Sequence, residues 1–370
     1  MLKVAFALVL VLHGLLHALG FLKAFGLAQL PQLAQPISRA LGVLWLCAGL
    51  GMLGTALSSY AWPSGWWTVG LASAVLSQVA IVTSWQDAKV GSAANALVLV
   101  FTAWAFLSAG PFSLRAQFAR EVALGRSRSS PQPLVQEADL AALPAAVQRY
   151  LRYVGVVGRP RVQSLHVHFE GRIRSGPSAA WMPLQAEQYS FFDRPSRLFS
   201  IQARMFGLPV EGLHAHVNGR ASMRIELLAL LPVVNAHGPA FTAAETVTLF
   251  NDMCVMAPAT LLDPSIRWEP VDEGHVRARF GWAGQSIGAT LVFDTEGRLV
   301  DFFSDDRPAL DADGVTFNPQ RWSTPLSSYR AFGPYRLASR GEARYRAPAG
   351  EYTYGEFRLD GIEYNIGPRD

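Results

Sequence analysis

Two pairs of histidines have the spacing of metal ligands on a β-sheet. His166 with His168, and His214 with His216, are each two residues apart, so each pair projects from one face of a strand. Two imidazoles on one face are a common start for a divalent metal site. A site shared by all four requires neighbouring strands. The alternative is that both pairs face solvent, because the residues between them are apolar and belong to the buried face.

A third pair, His13 and His17, lies inside an apolar run and is four residues apart, which on a helix gives both rings one face. Ionisable groups in a membrane segment are costly and therefore often functional. One hypothesis is a metal or haem site or a proton path. The alternative is a neutral pair hydrogen-bonded to polar side chains of neighbouring helices, the candidates being Gln78, Ser92 and Asn95.

Other patterns for catalysis are missing from the sequence. It contains no G-x-S-x-G, H-E-x-x-H or P-loop pattern. The glycines from Gly49 to Gly54 match G-x-G-x-x-G, but they lie in an apolar run, where small residues allow close helix packing. Cys47 and Cys254 form no metal or redox motif. We therefore predict no cofactor and find no positive support for an enzyme.

Aromatic and methionine side chains recur where strands are expected to line an interior. They suit an apolar ligand inside a curved sheet, or equally an ordinary filled core. The candidate ligand-lining residues are Trp181, Met182, Tyr189, Phe199, Met205, Phe206, Met223 and Phe302.

Four apolar runs of about 20 residues fill the first 110 positions, the length that crosses a lipid bilayer. They are Val4 to Leu22, Ile37 to Leu57, Trp66 to Trp85 and Gly91 to Ala109. Only 16% of the whole chain is charged, and nearly all of that charge follows these runs. We predict a multi-pass protein of the bacterial inner membrane, in contact with lipid.

An even number of spans puts the N-terminus and the following domain on one side of the membrane. Basic residues near the spans favour the cytoplasm as that side, and a periplasmic domain stays open. The basic residues on the side of the N-terminus and the following domain are Lys3, Arg115, Arg120, Arg126 and Arg128, and those on the other side are Lys23, Arg39 and Lys89.

Beyond a linker at 111–136, residues 137–370 predict a soluble domain. Residues 137–153 carry a helical pattern with a kink or restart at Pro144. After Pro160 the apolar period becomes two, with turn signals at Asn218-Gly219, Glu273-Gly274 and Glu296-Gly297. The predicted fold is a transmembrane four-helix bundle at 1–110, followed by an α+β domain with a curved, half-barrel-like antiparallel sheet and one or two covering helices.

The clearest helix of this domain is predicted to begin at Thr242. Glu245 follows three residues later, which is the spacing of a capping box. The helix is then expected to run to about Cys254, with Glu245 and Asp252 facing solvent.

Most of the chain resembles an uncharacterised bacterial family, a domain of unknown function that often follows four membrane helices. The family brings no known activity or catalytic residue. More distantly, the architecture looks like the half-barrels of bacterial lipoprotein carriers. The family resemblance lies in HGLLHALGF (13–21), SWQDAKVG (84–91), WMPLQAEQY (181–189), MFGLPVEGLH (205–214), AETVTLFNDMCVMAPATLL (244–262), IRWEPVD (266–272) and GIEYN (361–365).

The leading hypothesis is a non-enzymatic, membrane-tethered domain that binds an apolar or lipid-like ligand. The alternatives are a metal- or haem-binding membrane protein and a structural or protein-interaction module whose partner no residue identifies. The net charge of +4 suggests nucleic acid, but the arginines are interleaved with acids and form no basic block, so no nucleic-acid partner is predicted.

Overall fold

Apolar helices make up the first of two compact units, Met1–Gln117 and Phe118–Asp370. The computed structural model describes residues 2–311, 314 and 316–368. The helices of the first unit are α1 (Leu2–Ala24), α2 (Arg39–Ala61), α3 (Trp66–Thr83), the short α4 (Trp85–Ala88) and α5 (Gly91–Ala109), and α6 (Leu114–Arg126) crosses into the second unit.

Within the described residues, four helices are long and apolar enough to cross a membrane, which confirms the four predicted helices. In the first unit α1 packs on α2, α2 on α3, and α5 on both α3 and α1. Glycines allow the closest of these approaches. A Cβ on Gly14 would stand 2.9 Å from the carbonyl oxygen of Gly49, and a Cβ on Gly49 would stand 2.7 Å from that of Gly14. Gly49 thus serves helix packing, as expected for small residues in such a run.

The second unit begins with short helices. A 3₁₀ turn (Glu137–Leu140) precedes α7 (Ala145–Val154), so the helical pattern restarts at Pro144 as predicted. The segment predicted as a linker, 111–136, contains α6. Six strands follow: β1 (Ser164–Ile173), β2 (Met182–Phe191), β3 (Ser196–Met205), β4 (Leu208–Val217), β5 (Arg220–Leu227) and β6 (Leu231–His237).

The long helix α8 (Pro239–Met256) and a 3₁₀ turn (Pro258–Leu262) separate these strands from the rest. The later strands are β7 (Ile266–Pro270), β8 (His275–Trp282), β9 (Gln285–Phe293), β10 (Leu299–Ser304), β11 (Ala309–Leu310), β12 (Phe317–Asn318), β13 (Arg321–Ser323), β14 (Leu326–Phe332), β15 (Tyr335–Ala347) and β16 (Gly350–Tyr364).

Fourteen strands of the described chain form one antiparallel sheet in the order β6-β5-β4-β3-β2-β1-β16-β15-β13-β10-β9-β8-β7, with β14 on β15. The remaining two, β11 and β12, pair with each other. The large sheet is curved and does not close, and α8 contacts β4, β5 and β6 on one arm and β9 and β10 on the other. The predicted half-barrel with a covering helix is confirmed.

Sequence alternation predicts the faces of these strands. On β8, Val276, Ala278 and Phe280 are buried while the arginines between them are exposed. The Asn218-Gly219 turn joins β4 to β5 with both residues at positive φ, the geometry of a two-residue hairpin.

The two arms of the sheet are filled differently. Against β8, β9 and β10, the α8 side chain Phe250 stacks on Phe280 with ring centroids 5.1 Å apart and meets Phe302 at 5.8 Å. Both partners are fully buried, so this arm is an ordinary packed core. The other arm, made by β1 to β6, leaves space between α8 and the sheet.

The helix does not begin at Thr242. It begins at Pro239, because proline is preorganised for the first helical position and Gly238, at φ 104°, turns the chain into it. The predicted capping box is therefore wrong. The Thr242 hydroxyl instead accepts from the backbone N–H of Ala221 at 3.1 Å and donates to the carbonyl of Gly238 at 2.9 Å. Glu245 and Asp252 are buried, so their predicted exposure is also wrong.

Candidate functional site

A cavity of about 450 Å³ lies between α8 and the inner face of the sheet. This size falls within the range of about 300–1,000 Å³ typical of small-molecule sites. The cavity reaches the surface where the exposed Ser175, Asp311 and Arg340 take part in its lining.

Three phenylalanines form one apolar wall of the cavity. Phe169 of β1, Phe199 of β3 and Phe357 of β16 meet edge to face, with ring centroids 6.1 to 6.5 Å apart. They come together because inward positions alternate along each strand and β1 is flanked by β2 and β16. Ile201 and Met223 extend the same surface onto β3 and β5.

A buried charged network forms an adjoining wall, where α8 faces β3. Arg197 donates to Asp252 at 2.6 Å and lies 3.6 Å from Glu245, with side chains only 8%, 10% and 4% exposed. Arg307 approaches Glu245 from the other side at 3.1 Å. Two arginines and two carboxylates therefore balance within one buried cluster, the condition under which charges are retained away from water.

Neutral groups complete this network. Gln188 of β2 donates to Asp252 at 2.8 Å, and Arg307 donates to Thr248 of α8 at 2.8 Å and to the Tyr345 hydroxyl. Arg307 also lies 4.5 Å from the centroid of the Trp322 ring. Both guanidinium groups are therefore oriented by several partners, which makes this wall rigid and polar.

The environment shifts the pKa values of the two carboxyl groups in opposite directions. Burial works to raise the pKa of Glu245, but the neighbouring His214 and the charges of Arg307 and Arg197 outweigh it, so the pKa of Glu245 lies well below its usual range. Burial raises the pKa of Asp252 despite Arg197 and Gln188. Glu245 is thus a fixed carboxylate.

Two histidines of β4 also face this side. His214 lines the cavity with Nδ1 3.8 Å from a Glu245 oxygen. His216 lies deeper and is 2% exposed, and neither of its ring nitrogens has a hydrogen-bond partner among the described residues. Burial lowers the pKa of both rings, which keeps them neutral near pH 7.

The predicted ligand-lining residues take different places. Phe199 and Met223 line the cavity. Tyr189 and Phe302 are buried elsewhere, and Phe206 is 97% exposed on the turn between β3 and β4. The other three, Trp181, Met182 and Met205, are also absent from the lining. The Trp181 ring is covered by the guanidinium groups of Arg172 and Arg174.

The charged wall is what sequence reasoning missed. Arg197 occupies an inward position two residues before Phe199, and Glu245 and Asp252 are seven apart on one helical face. The sequence pattern that indicates this wall is an arginine at a position that period-two alternation assigns to the apolar, inward face of its strand.

The four strand histidines do not share a site. His166 and His168 are on the outer face of β1, whereas His214 and His216 are on the inner face of β4, and β2 and β3 separate the two strands. The expectation that His214 and His216 face away from the core is wrong, because α8 covers the inner face of β4 and both rings point towards it. His166 and His168 instead lie beside Glu187 of β2.

Polar side chains inside the first unit form a connected chain. His13 Nε2 lies 3.0 Å from the Asn95 side-chain oxygen and 3.1 Å from the Ser77 hydroxyl, and His17 Nε2 lies 2.7 Å from the same hydroxyl. Asn95 donates to Gln78 at 2.9 Å. Of the three expected partners, Asn95 contacts His13 directly, whereas Gln78 and Ser92 extend the chain beyond Asn95, and Ser77 is an additional partner of both histidines.

Comparison with known proteins gives a family match. The sequence profile of DUF6544, a family of unknown function, matches residues 133–357, which hold every strand of the sheet except the C-terminal part of β16. No curated protein matches the chain.

Several solved structures are similar at low sequence identity. An outer membrane lipoprotein-sorting protein domain from Vibrio parahaemolyticus has 9% identity and a TM-score of 0.34, over 56% of this chain and 87% of that one. A DUF1329 family protein from Desulfovibrio piger has 12% identity and a TM-score of 0.37, over 61% and 94%. A LolA superfamily protein from Nitrosomonas europaea has 9% identity and a TM-score of 0.35, over 61% of this chain and 93% of that one. A likeness at these scores carries no information on what this chain binds.

Proposed function

We propose that this chain, which belongs to the DUF6544 family of unknown function, is a membrane-anchored module that holds an apolar, lipid-like ligand in the cavity beneath α8. The observation that carries the proposal is the cavity itself. A core packed as tightly as the arm around Phe250 would leave no room for a ligand, whereas the arm around Phe199 leaves about 450 Å³.

The two walls of the cavity suggest an amphipathic ligand. An acyl or similar chain fits among Phe169, Phe199 and Phe357, because apolar ligand surface is stabilised by leaving water. The polar end of the ligand then lies near Arg197 and Arg307. Since Glu245 is a fixed carboxylate with a lowered pKa, it is a weak base, which favours binding over proton transfer.

The apolar helices supply the anchor in this proposal. Four helices of sufficient length would hold the chain in a bacterial inner membrane, close to a source of lipid. The excess of basic residues near the spans favours a cytoplasmic second unit. The side is tested with a reporter enzyme that is active only in the periplasm, fused after Asp370. Activity of this fusion would contradict a cytoplasmic second unit.

Lipid analysis of the chain in its native membrane tests the proposal. Membranes are washed at alkaline pH, and the chain is extracted into polymer-bounded lipid particles without detergent, so that detergent does not enter the cavity. The chain should stay in the washed membrane. Native mass spectrometry should then find about one retained ligand per chain after bulk lipid is removed.

A matched pair of variants separates ligand in the cavity from lipid around the helices. Met223→Trp adds bulk inside the cavity, and Met205→Trp makes the same exchange outside its lining. Retention should fall in Met223→Trp and remain in Met205→Trp. Equal retention in both variants, or release of the chain by the alkaline wash, would contradict the proposal.

A further inference from the structure

A second cluster of ligating side chains lies on the sheet face opposite the cavity. His166 and His168 project from β1, and Glu187 projects from β2 directly across from His168. One ligating atom from each of the three side chains lies within 4.8 Å of the other two. The proposed function uses none of these three residues.

The His166 ring is held in place by its surroundings. It stacks on the Tyr189 ring at a centroid distance of 4.1 Å and an angle of 14°, and it meets the His168 ring edge to face at 4.5 Å. Its side chain is 12% exposed, and Nε2 lies 2.9 Å from a Glu187 oxygen. The ring therefore presents Nε2 towards Glu187 and His168 in a defined orientation.

A second carboxylate faces the other ring nitrogen. Glu363 of β16 pairs across the sheet with His166, and its Oε2 lies 3.7 Å from Nδ1. A carboxylate on the far nitrogen is the usual arrangement behind a metal-bound imidazole, because it fixes the tautomer and strengthens the ligand. His166 is thus flanked by one carboxylate at each nitrogen.

We propose that His166, His168 and Glu187 form a binding site for a divalent first-row transition ion such as Zn²⁺, with Glu363 as a positioning residue behind His166. Two imidazoles and one carboxylate are donors that suit such an ion, and three protein ligands leave a position for water or another ligand. In a tetrahedral site with ligands about 2.1 Å from the ion, the ligand atoms stand about 3.4 Å apart. The ligating atoms therefore come into range by rotation of side chains that are already adjacent, within 4.8 Å of one another.

Calorimetric titration of the full chain with Zn²⁺, after removal of metal by a chelator, tests the site. We expect one ion per chain and no comparable binding of Mg²⁺, which prefers oxygen ligands. His168→Ala and Glu187→Gln should each weaken Zn²⁺ binding by at least about tenfold, and Glu363→Gln by about 10- to 100-fold, the usual cost of removing a carboxylate behind a ligand.

His275→Ala is the matched control. His275 Nδ1 lies 2.9 Å from Asp272, so it forms a histidine–carboxylate pair of the same length, to which the described residues add no third ligand. Zn²⁺ binding should be unchanged in this variant. The proposal is overturned if the wild-type chain binds no stoichiometric Zn²⁺, or if His168→Ala and Glu187→Gln bind it as tightly as the control. Both ligand side chains are partly or fully exposed, and thermal melts will verify that the variants fold.

Discussion

Arg197 connects the two carboxylates of α8 to the sheet. It contacts both Asp252 and Glu245 and also lies 4.7 Å from the Phe199 ring centroid, so it joins the charged wall of the cavity to the apolar one. Buried ion networks stabilise a fold little compared with apolar packing, and removing one partner leaves a charge uncompensated. In the proposed function these charges recognise the polar end of the ligand.

His216 is the one residue of this region whose polar atoms lack partners among the described residues. Replacing it with Leu should stabilise the chain by about 1–3 kcal/mol, because a buried unsatisfied polar group carries a desolvation cost of that size. Thermal melts of the full chain at pH 7 measure the change. A less stable Leu variant would mean that His216 makes a polar contact in solution.

The same variant should also alter the response to acid. Burial lowers the pKa of His214 and His216, so below about pH 6.5 the unfolded chain binds protons that the folded chain resists. Stability is complete above that pH and is lost as pH falls. The difference in melting temperature between His216→Leu and wild type should therefore widen from pH 7 to pH 5. A constant difference would contradict the assignment.

At the scale of elements, α8 determines where the cavity is. Its Phe250 face packs against one arm of the sheet, while Glu245, Thr248 and Asp252 face the cavity. The strand faces followed from period-two alternation, as on β8, because each strand has a buried side. The start of α8 could not be predicted in this way. Thr242 and Glu245 match a capping box by type and spacing, but Gly238 and Pro239 begin the helix earlier.

Thr242 joins the first turn of α8 to β5, which gives a test at this scale. Thr242→Val should cost about 1–3 kcal/mol, because the backbone N–H of Ala221 loses the hydroxyl that accepts from it. Thr242→Ser keeps the hydroxyl and should remain close to wild type. Melts of both variants in the full chain measure this. Equal stability of the Val and Ser variants would show that the link contributes nothing.

At the scale of the whole molecule, the division into apolar helices and a sheet-rich domain could be predicted, because hydropathy and strand alternation are local signals. The cavity could not. Phe199 and Phe302 have the same chemistry and a similar place in their strands, yet one lines the cavity and the other fills the core. Only the packing of α8 against the two arms distinguishes them.

Photocrosslinking inside native membranes tests the central claim, ligand binding in the cavity, most directly. Cells are supplied with a fatty acid that carries a diazirine, their membranes are irradiated, and labelled peptides of the second unit are mapped by mass spectrometry. Successive residues on each of two strands provide an internal control. Phe199 of β3 and His214 of β4 face the cavity, whereas their neighbours Leu198 and Leu213 are buried on the other face of the sheet. We expect label on Phe199 and His214 and none on Leu198 and Leu213. Label confined to the apolar helices, or equal on both faces of β3 and β4, would contradict the account.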